Sequence, residues 1–431
     1  MRKIVLGILG LGQVGGGLYS ILKAKRQYFE EITGVSFEIQ KIAVKHKQKK
    51  RNVRVPASLL TTNAMAVVRD PKVDVIVELI GGTREARTLV LEALRRGKHV
   101  VTANKALLAE CGDEIFKEAI RRRCWIAFEA SVGGGIPVMK ALREGLVANR
   151  IDSIHAIING TSNYILTQMT EEHLDFKVAL AQAQAKGYAE ADPTFDIEGI
   201  DAAHKLALLV RFGFGGRVRF KDIYCEGISE IRHEDIAFAE EFGYRVKLLA
   251  IAKAFKNGIE ARVQPTLLPK SHILSSVNGV MNAVLVHGDE VGESLYYGKG
   301  AGPHPTASAV ISDLMDIAKR GTRRFYDSSF LIRGLEKECK IKSMSSILSR
   351  YYLRFSIIDQ PGVLAKISHV LGAHHISISD CVQKETDKGR IVPLILLTHD
   401  AHERDVRTAI RAIDKLPVVR GKSQVIRIEG S

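Results

Sequence analysis

The sequence predicts an α/β protein: a doubly wound parallel sheet, then an α+β region, then a C-terminal ferredoxin-like unit. Three observations carry that expectation. Apolar strand-like runs alternate with helix-periodic stretches across residues 1–137. The first of those strands leads directly into a glycine-rich turn. Residues 350–431 follow the order βαββαβ. A chain of 431 residues has room for two or three domains, and 46% hydrophobic with 26% charged residues is the balance of a globular chain with ample core.

Residues 3–9 (KIVLGIL) are continuously apolar, as a parallel strand covered on both faces must be. Gly10-Leu11-Gly12-Gln13-Val14-Gly15 follows and opens a helix that reaches residue 27. Further strands are expected at 37–44, 73–80, 98–102 and 124–130, with helices at 62–70, 84–96 (stopped by Gly97) and 106–122. This alternation is that of a Rossmann-type sheet. Beyond it the texture changes. A helix is expected over 137–148, a strand over 151–158, helices over 163–170, 176–186 and 199–212, a strand pair at 245–255 and 259–267, and a helix over 304–320. Residues 321–349 are polar and linker-like. The last unit reads as strand 353–359, helix 362–373, strands 376–385 and 389–399 around Thr386-Asp387-Lys388, helix 401–415 and strand 417–428. The expected domains are therefore 1–137 for nucleotide binding, rejoined by helix 304–320; 138–303; a linker at 321–349; and 350–431.

A net charge of +15, from 63 Lys+Arg against 48 Asp+Glu, invites a nucleic-acid reading. Its distribution argues otherwise. Residues 1–138 hold 24 bases and 13 acids, 139–349 hold 26 of each, and 350–431 hold 13 and 9. Within the first segment Lys41, Lys45, Lys47, Lys49, Lys50, Arg51 and Arg54 form one acid-free cluster. The expectation is no nucleic-acid partner, since neither a basic recognition helix nor an aromatic stacking platform is found. No apolar run approaches the roughly 18 residues of a membrane span, and the start reads as a strand rather than a signal peptide. Five scattered cysteines without metal spacing suit a reducing, cytoplasmic setting.

Four motifs carry chemistry. In Gly10-x-Gly12-x-x-Gly15, Gly10 permits the turn, Gly12 lets backbone approach a pyrophosphate, and Gly15 lets helix and strand pack closely. The helix start at Gln13 and Val14 offers N–H groups to phosphate. At the end of the second strand, where an NAD-specific fold places a carboxylate, stands Lys45. A cation there suits a 2′-phosphate, so NADP(H) is expected to be preferred over NAD(H). Thr102-Ala103-Asn104-Lys105 closes the fourth strand, where ligands of open α/β sheets bind. Finally Asp201 and Lys205 share a helix face, preceded by Glu190, Asp192 and Asp196 in a Pro-broken loop. Several carboxylates near one lysine suit an ammonium group and a proton donor. The plainer alternative for Asp201 and Lys205 is a surface ion pair.

These residues, with Glu129-Ala130-Ser131-Val132-Gly133-Gly134-Gly135-Ile136-Pro137, Asn159-Gly160-Thr161-x-Asn163, Gly187-Tyr188-Ala189-Glu190-x-Asp192-Pro193 and Gly300-Ala301-Gly302-Pro303, resemble the homoserine dehydrogenase family in its long form with a C-terminal ACT domain. The resemblance spans essentially the whole chain. It implies NAD(P)H-dependent reduction of L-aspartate 4-semialdehyde to L-homoserine, on the route to threonine, isoleucine and methionine, in an α+β catalytic and dimerisation domain. It makes Lys205 the proton donor with Lys105 assisting. Glu190, Asp196 and Asp201 become substrate-binding, while Gly187, Gly302, Asn104 and Lys105 join the cofactor contacts. Glu129, Val132, Gly134 and Ile136 match positions that hold a sodium ion. Where the family often has Arg-Asp after the second strand, this chain has Lys45-His46, which keeps the cation. The resemblance also implies a homo-oligomer, dimer or tetramer. Asp359-Gln360-Pro361-Gly362 marks the ACT unit, with L-threonine the natural effector and a ligand-free assembly module the alternative. A dehydrogenase using an acyl-thioester would instead need a reactive cysteine, and Cys111 and Cys124 sit in poor settings for one.

Overall fold

The computed structural model describes residues 2–320, 338–383 and 391–430. The turn Thr386-Asp387-Lys388 and residues 321–337 of the expected linker lie outside them. The chain divides into two compact units, one of Met1–Gly160, Asp201–Ile223 and Met281–Cys339, the other of Thr161–Ile200, Tyr224–Val280 and Lys340–Ser431.

The first unit holds a parallel sheet of six strands: β1 (Arg2–Leu9), β2 (Val35–Ala43), β3 (Leu60–Thr61), β4 (Val75–Glu78), β5 (His99–Thr102) and β6 (Ile126–Ala127). Their order is β3-β2-β1-β4-β5-β6, every pair parallel. The order reverses between β1 and β4, and ligands of open α/β sheets bind at such a switch point. Helices α1 (Gln13–Ala24), α2 (Arg26–Thr33), α3 (Ala64–Arg69), α4 (Arg84–Arg95) and α5 (Lys105–Arg122) connect the strands. All four residues of β4 and of β5 are buried, which is why they read as apolar runs. Gly10 has φ +102°, and a Cβ there would come within 2.6 Å of the Leu79 carbonyl. A Cβ on Gly15 would strike the Gly10 carbonyl, so the turn admits no side chain at either place.

Three expectations need correction. The helix expected to reach residue 27 breaks at Lys25, and the chain reorients from burying Leu18 and Leu22 to burying Phe29. The strand expected over 124–130 shortens to Ile126–Ala127. Glu129 is drawn aside, its N–H donating to Asp313 at 2.9 Å and its carboxylate accepting the amides of Met139 and Lys140. The helix expected over 137–148 is α-helical only at Val138–Lys140, then widens over Ala141–Gly145 as Leu146 N–H reaches the Ala141 carbonyl. The helix Pro303–Arg320 packs on α1 at Gly17, where a Cβ would meet the Pro303 carbonyl and, at 3.4 Å, Ala307. The sequence reading missed a hairpin, Met281–Gly288 with Gly292–Lys299, which extends strand Ile151–Ile157 antiparallel. The alternating exposure of Gly292–Lys299 is the period-2 signal that marks it.

The second unit contains the expected strand pair as an antiparallel hairpin, Tyr244–Phe255 and Gly258–Pro269, and an unexpected helix, His233–Glu241. Its C-terminal part has strands Leu348–Ile358, Ile378–Gln383, Ile391–Thr398 and Gln424–Ile428 in the spatial order 4-1-3-2, all neighbours antiparallel. This is the ferredoxin-like order. Helices Val363–Ala373 and Glu403–Ile413 bury Ile367, Leu371, Val406 and Ile413 against Leu353, Phe355 and Leu394 of the sheet. The strand expected over 417–428 is confined to Gln424–Ile428. That strand also pairs parallel with the hairpin, Thr266 beside Arg427 and Leu267 beside Ile428. Buried charges accompany this pairing. Arg427 binds Glu403 through Nε (2.9 Å) and Nη2 (2.5 Å) and Glu226 through Nη1 (2.8 Å). Arg262 pairs with Glu260 and Glu429, and Arg354 grips Asp235 in a fork of 2.6 and 3.1 Å.

Candidate active site

Asp201 and Lys205 lie one turn apart on the helix Ile200–Gly213, and both are buried, at 5% and 9% exposure. This excludes the surface-pair alternative. Lys205 Nζ donates to Asp201 Oδ2 at 2.7 Å and to the Ile158 carbonyl at 2.6 Å. Asn159 Nδ2 reaches the same carboxylate oxygen at 3.0 Å, and Lys105 Nζ lies 2.9 Å from Oδ1. Burial alone would raise the Asp201 carboxyl. The Lys205 and Lys105 cations outweigh it and hold the group well below the usual carboxylate range. The centre is thus an anion held between two ammonium groups. Two of the three Lys205 Nζ–H groups have acceptors among the described residues. Asp201, Lys205 and Lys105 are all expected from their motifs, whereas Asn159, which opens the Asn159-Gly160-Thr161 motif, carries no role in that expectation.

Lys105 owes its place to the turn that precedes it. Asn104 caps α5, its Oδ1 accepting from Leu107 N–H at 3.1 Å, while its Nδ2 donates to the Gly82 carbonyl at 2.6 Å. Both ends of that amide are therefore engaged by the protein itself. A second residue missed by sequence reading, Glu78, is fully buried at the end of β4 and accepts from the Thr102 hydroxyl at 2.6 Å. A single acid closing an otherwise apolar strand was its available signal.

The glycine turn fits a dinucleotide. No side chain caps α1 at Gly12, its first turn, from Gln13 and Val14, carries no acid, and a Cβ on Gly12 would meet nothing within 4 Å. That is open backbone at a helix N-terminus, as a pyrophosphate requires. Lys45 is exposed just past the end of β2. Arg51 of the same basic cluster is turned inward, donating to the carbonyls of His46 (2.5 Å), Lys47 (3.1 Å) and Lys49 (2.8 Å), so it shapes the loop. Gly302 has φ +122° just before the helix Pro303–Arg320. Around the expected sodium position, Glu129 is buried, its carboxyl pushed up to about 7 by desolvation against the opposing Arg143 charge. Val132 and Ile136 are buried nearby in sequence, and Gly134 has φ +56°. Gly187, with φ +72°, and the carboxylates of Glu190 and Asp196 belong to the second unit, Glu190 exposed and Asp196 half-buried. Burial pushes the Cys124 thiol up to about 11 and raises that of Cys111, the opposite of what an acyl-transfer nucleophile needs.

Comparison with known proteins decides the family. Profiles described as homoserine dehydrogenase, NAD binding domain, and homoserine dehydrogenase match residues 10–129 and 137–315, and an ACT domain profile matches 351–418. The homoserine dehydrogenase of Pseudomonas aeruginosa is 45% identical over 434 residues, covering 100% of this chain and 99% of the relative. The chain belongs to the homoserine dehydrogenase family. The homoserine dehydrogenase of Bacillus subtilis is 41% identical, over 100% of this chain and 99% of the relative. A crystal structure of a homoserine dehydrogenase from Thiobacillus denitrificans superposes with TM-score 0.94 at 47% identity, covering 100% of this chain and 99% of that one. A hyperthermophilic archaeal homoserine dehydrogenase in complex with NADPH superposes with TM-score 0.63 at 27% identity, covering 74% of this chain and 99% of that one. The Rossmann-type sheet, the catalytic region and the ACT domain are thus those of a homoserine dehydrogenase, an oxidoreductase with a pyridine-nucleotide domain. Among the described residues no helix is long and apolar enough to cross a membrane.

Proposed function

We propose that this homoserine dehydrogenase reduces L-aspartate 4-semialdehyde to L-homoserine with NADPH in preference to NADH, and that Lys205 is its proton donor. The observation that carries the reading is the buried Lys105–Asp201–Lys205 cluster. A bound reduced nicotinamide supplies the hydride. Hydride addition leaves negative charge on the carbonyl oxygen, and an ammonium aimed at that oxygen stabilises the charge and delivers a proton. Asp201 keeps Lys205 oriented. Lys105 balances the carboxylate, so that Lys205 is not locked to it alone. Asn159 fixes the rotamer of Asp201. In the reverse direction Lys205, once neutral, takes the hydroxyl proton. Glu190 and Asp196 are proposed as substrate carboxylates on the resemblance alone. The dinucleotide would be held by Gly10, Gly12, Gln13, Val14 and Gly15, with Asn104, Lys105, Gly187 and Gly302 as further contacts. A sodium ion at Glu129, Val132, Gly134 and Ile136 is part of the same reading. The buried Glu129 carboxyl, poorly matched by charge, suits a cation beside it.

For Lys45 the support is its exposed cation at the end of β2, where a 2′-phosphate falls in such folds. Lys45→Ala is expected to raise the KM for NADP about tenfold and to leave that for NAD unchanged. Equal changes for both cofactors would remove the phosphate contact. We further propose L-threonine as effector at the ACT domain. There Gly362 takes φ +85° to open the helix Val363–Ala373, and Gln383 fixes Asp359 at 3.0 Å. A homo-oligomer, dimer or tetramer, in the cytoplasm belongs to the same proposal. It is supported by exposed Leu295 and Tyr297 on the edge strand and by five free cysteines. One assay tests the core of this: homoserine oxidation with NADP and with NAD, each with and without threonine, alongside calorimetry. Oxidation with NADP favoured and slowed by threonine is the expected result. Absent turnover would overturn the reaction, and threonine giving neither heat nor inhibition would overturn the effector.

A further inference from the structure

Glu78 occupies an unusual place: the C-terminal end of a central parallel strand, at 0% exposure, beside the switch point of the sheet. Every group around it donates. Thr102 Oγ1 donates to Oε2 at 2.6 Å, and the N–H groups of Ile80 and Gly81 donate to Oε1 at 2.9 and 3.2 Å. Thr102 Oγ1 in turn accepts the Asn104 N–H at 3.0 Å, and Asn104 ties the turn back to Gly82 and caps the helix that begins with Lys105. One carboxylate thus joins the loop after β4 to the turn after β5, and the second of these carries Lys105 to Asp201. Such a position needs a group that only accepts. Burial pushes the carboxyl up from its ordinary value against the hydrogen bonds from Thr102, Ile80, Gly81 and Asn104, so the group is held in place at a cost in solvation.

We propose that Glu78 is a positioning residue for the hydride-transfer reaction, acting through Thr102 and Asn104 to fix Lys105 against Asp201. The inference rests on the role proposed above for Lys105. It follows that the clamp is a second determinant of catalysis that never touches substrate. Glu78→Gln keeps the shape, loses the charge and replaces one acceptor oxygen by a donor facing donors. It is expected to lower kcat by roughly tenfold to a hundredfold, the effect of a small misplacement at a reacting centre. Thr102→Val should do the same, whereas Thr102→Ser, which keeps the hydroxyl, should restore near-parental kcat. KM for homoserine is expected to change less than twofold or so in each. The deciding measurement is the cycle with Lys105→Ala. If Glu78 acts through Lys105, the double variant Glu78→Gln/Lys105→Ala is no slower than Lys105→Ala alone. Multiplicative losses in a slow Lys105→Ala background would overturn the clamp and leave the reading of Lys105 intact. Parental kcat in Lys105→Ala would overturn that reading, and the clamp with it. Thr102→Ser, which leaves Glu78 in place, keeps the test decisive should Glu78→Gln fold poorly: a Ser variant as slow as Val contradicts the proposal.

Discussion

Lys205→Met is expected to lower kcat for homoserine oxidation by about a thousandfold while changing dinucleotide affinity less than about twofold. The methionine fills a similar volume but can neither stabilise the developing alkoxide nor exchange a proton. Its removal also unbalances the centre. Asp201, buried at 5% exposure, keeps Lys105 and Asn159 as partners among the described residues. Stripping one partner from a buried ion pair costs about 3 kcal/mol, so a thermal melt belongs beside the kinetics. Lys205→Arg separates the two effects. A guanidinium pairs with Asp201 and supports the fold, yet its pKa above about 12 denies it the proton transfer. The expected outcome is therefore a stable Arg variant as inactive as the Met variant, both still titrating dinucleotide fluorescence. A folded Met variant turning over within about tenfold of the parent would take proton donation away from Lys205. Asp201 itself should add no acid limb to the rate profile. The two ammonium groups hold its carboxyl far below the assay range, so the cluster's stability is present above the ordinary carboxylate pKa and is lost only in strong acid.

Arg427→Met should lower stability by about 3–5 kcal/mol, the largest loss expected away from the active centre. Arg427 is 0% exposed and serves Glu403 and Glu226, which lie on the helix Glu403–Ile413 and beside strand Tyr224–Cys225. Removing it leaves the Glu403 carboxylate to Arg407, at 2.7 Å, and the Tyr351 hydroxyl, at 2.9 Å. The same network predicts an acid transition. Burial pushes the Glu403 carboxyl up, but the hydrogen bonds and charge of Arg427, with Arg407, bring it down to about 2 from an ordinary 4.5. A carboxyl lowered on folding contributes stability that is complete above pH 4.5 and fades as pH falls toward 2. Here that amounts to about 3 kcal/mol. Denaturation midpoints at pH 7, 5 and 3 should fall steeply for the parent between the last two, and less so for Glu403→Gln/Arg427→Met. An Arg427→Met midpoint equal to the parent's at pH 7 would show that the buried network adds nothing.

The two halves of that contrast explain what was legible in the sequence. The parallel sheet could be read because strands buried on both faces are unbroken apolar runs: Val75–Glu78 and His99–Thr102 sit inside the segments expected for them. The hairpin 281–299 escaped because only one of its strands alternates clearly, and its turn breaks the pattern. Asp201 and Lys205 were placed on one helix face by their spacing of four. Their burial, and the arrival of Lys105 from 96 residues earlier in sequence, follow from the sheet and not from spacing. Arg427 was invisible for a related reason. In Val425-Ile426-Arg427-Ile428 it reads as the solvent-facing member of an alternating strand, and its partners lie 24 and 201 residues away. Where the partners of a buried charge are remote in sequence, as those of Arg427 are, a local pattern carries no trace of them.

The parallel pairing of Thr266 with Arg427 and of Leu267 with Ile428 also bears on how the protein comes into being. A ribosome adding about 5–20 residues each second needs roughly ten to thirty seconds to pass from one partner to the other. During that interval Arg262 and Val263 already face Tyr224 and Cys225 on that side, but Thr266 and Leu267 still await their partners, and an unpaired stretch of strand edge is where nascent chains stick to one another. This part of the hairpin edge is thus covered only once Gln424–Ile428 has been made, and the yield of folded enzyme should depend on chaperones that shield it until then.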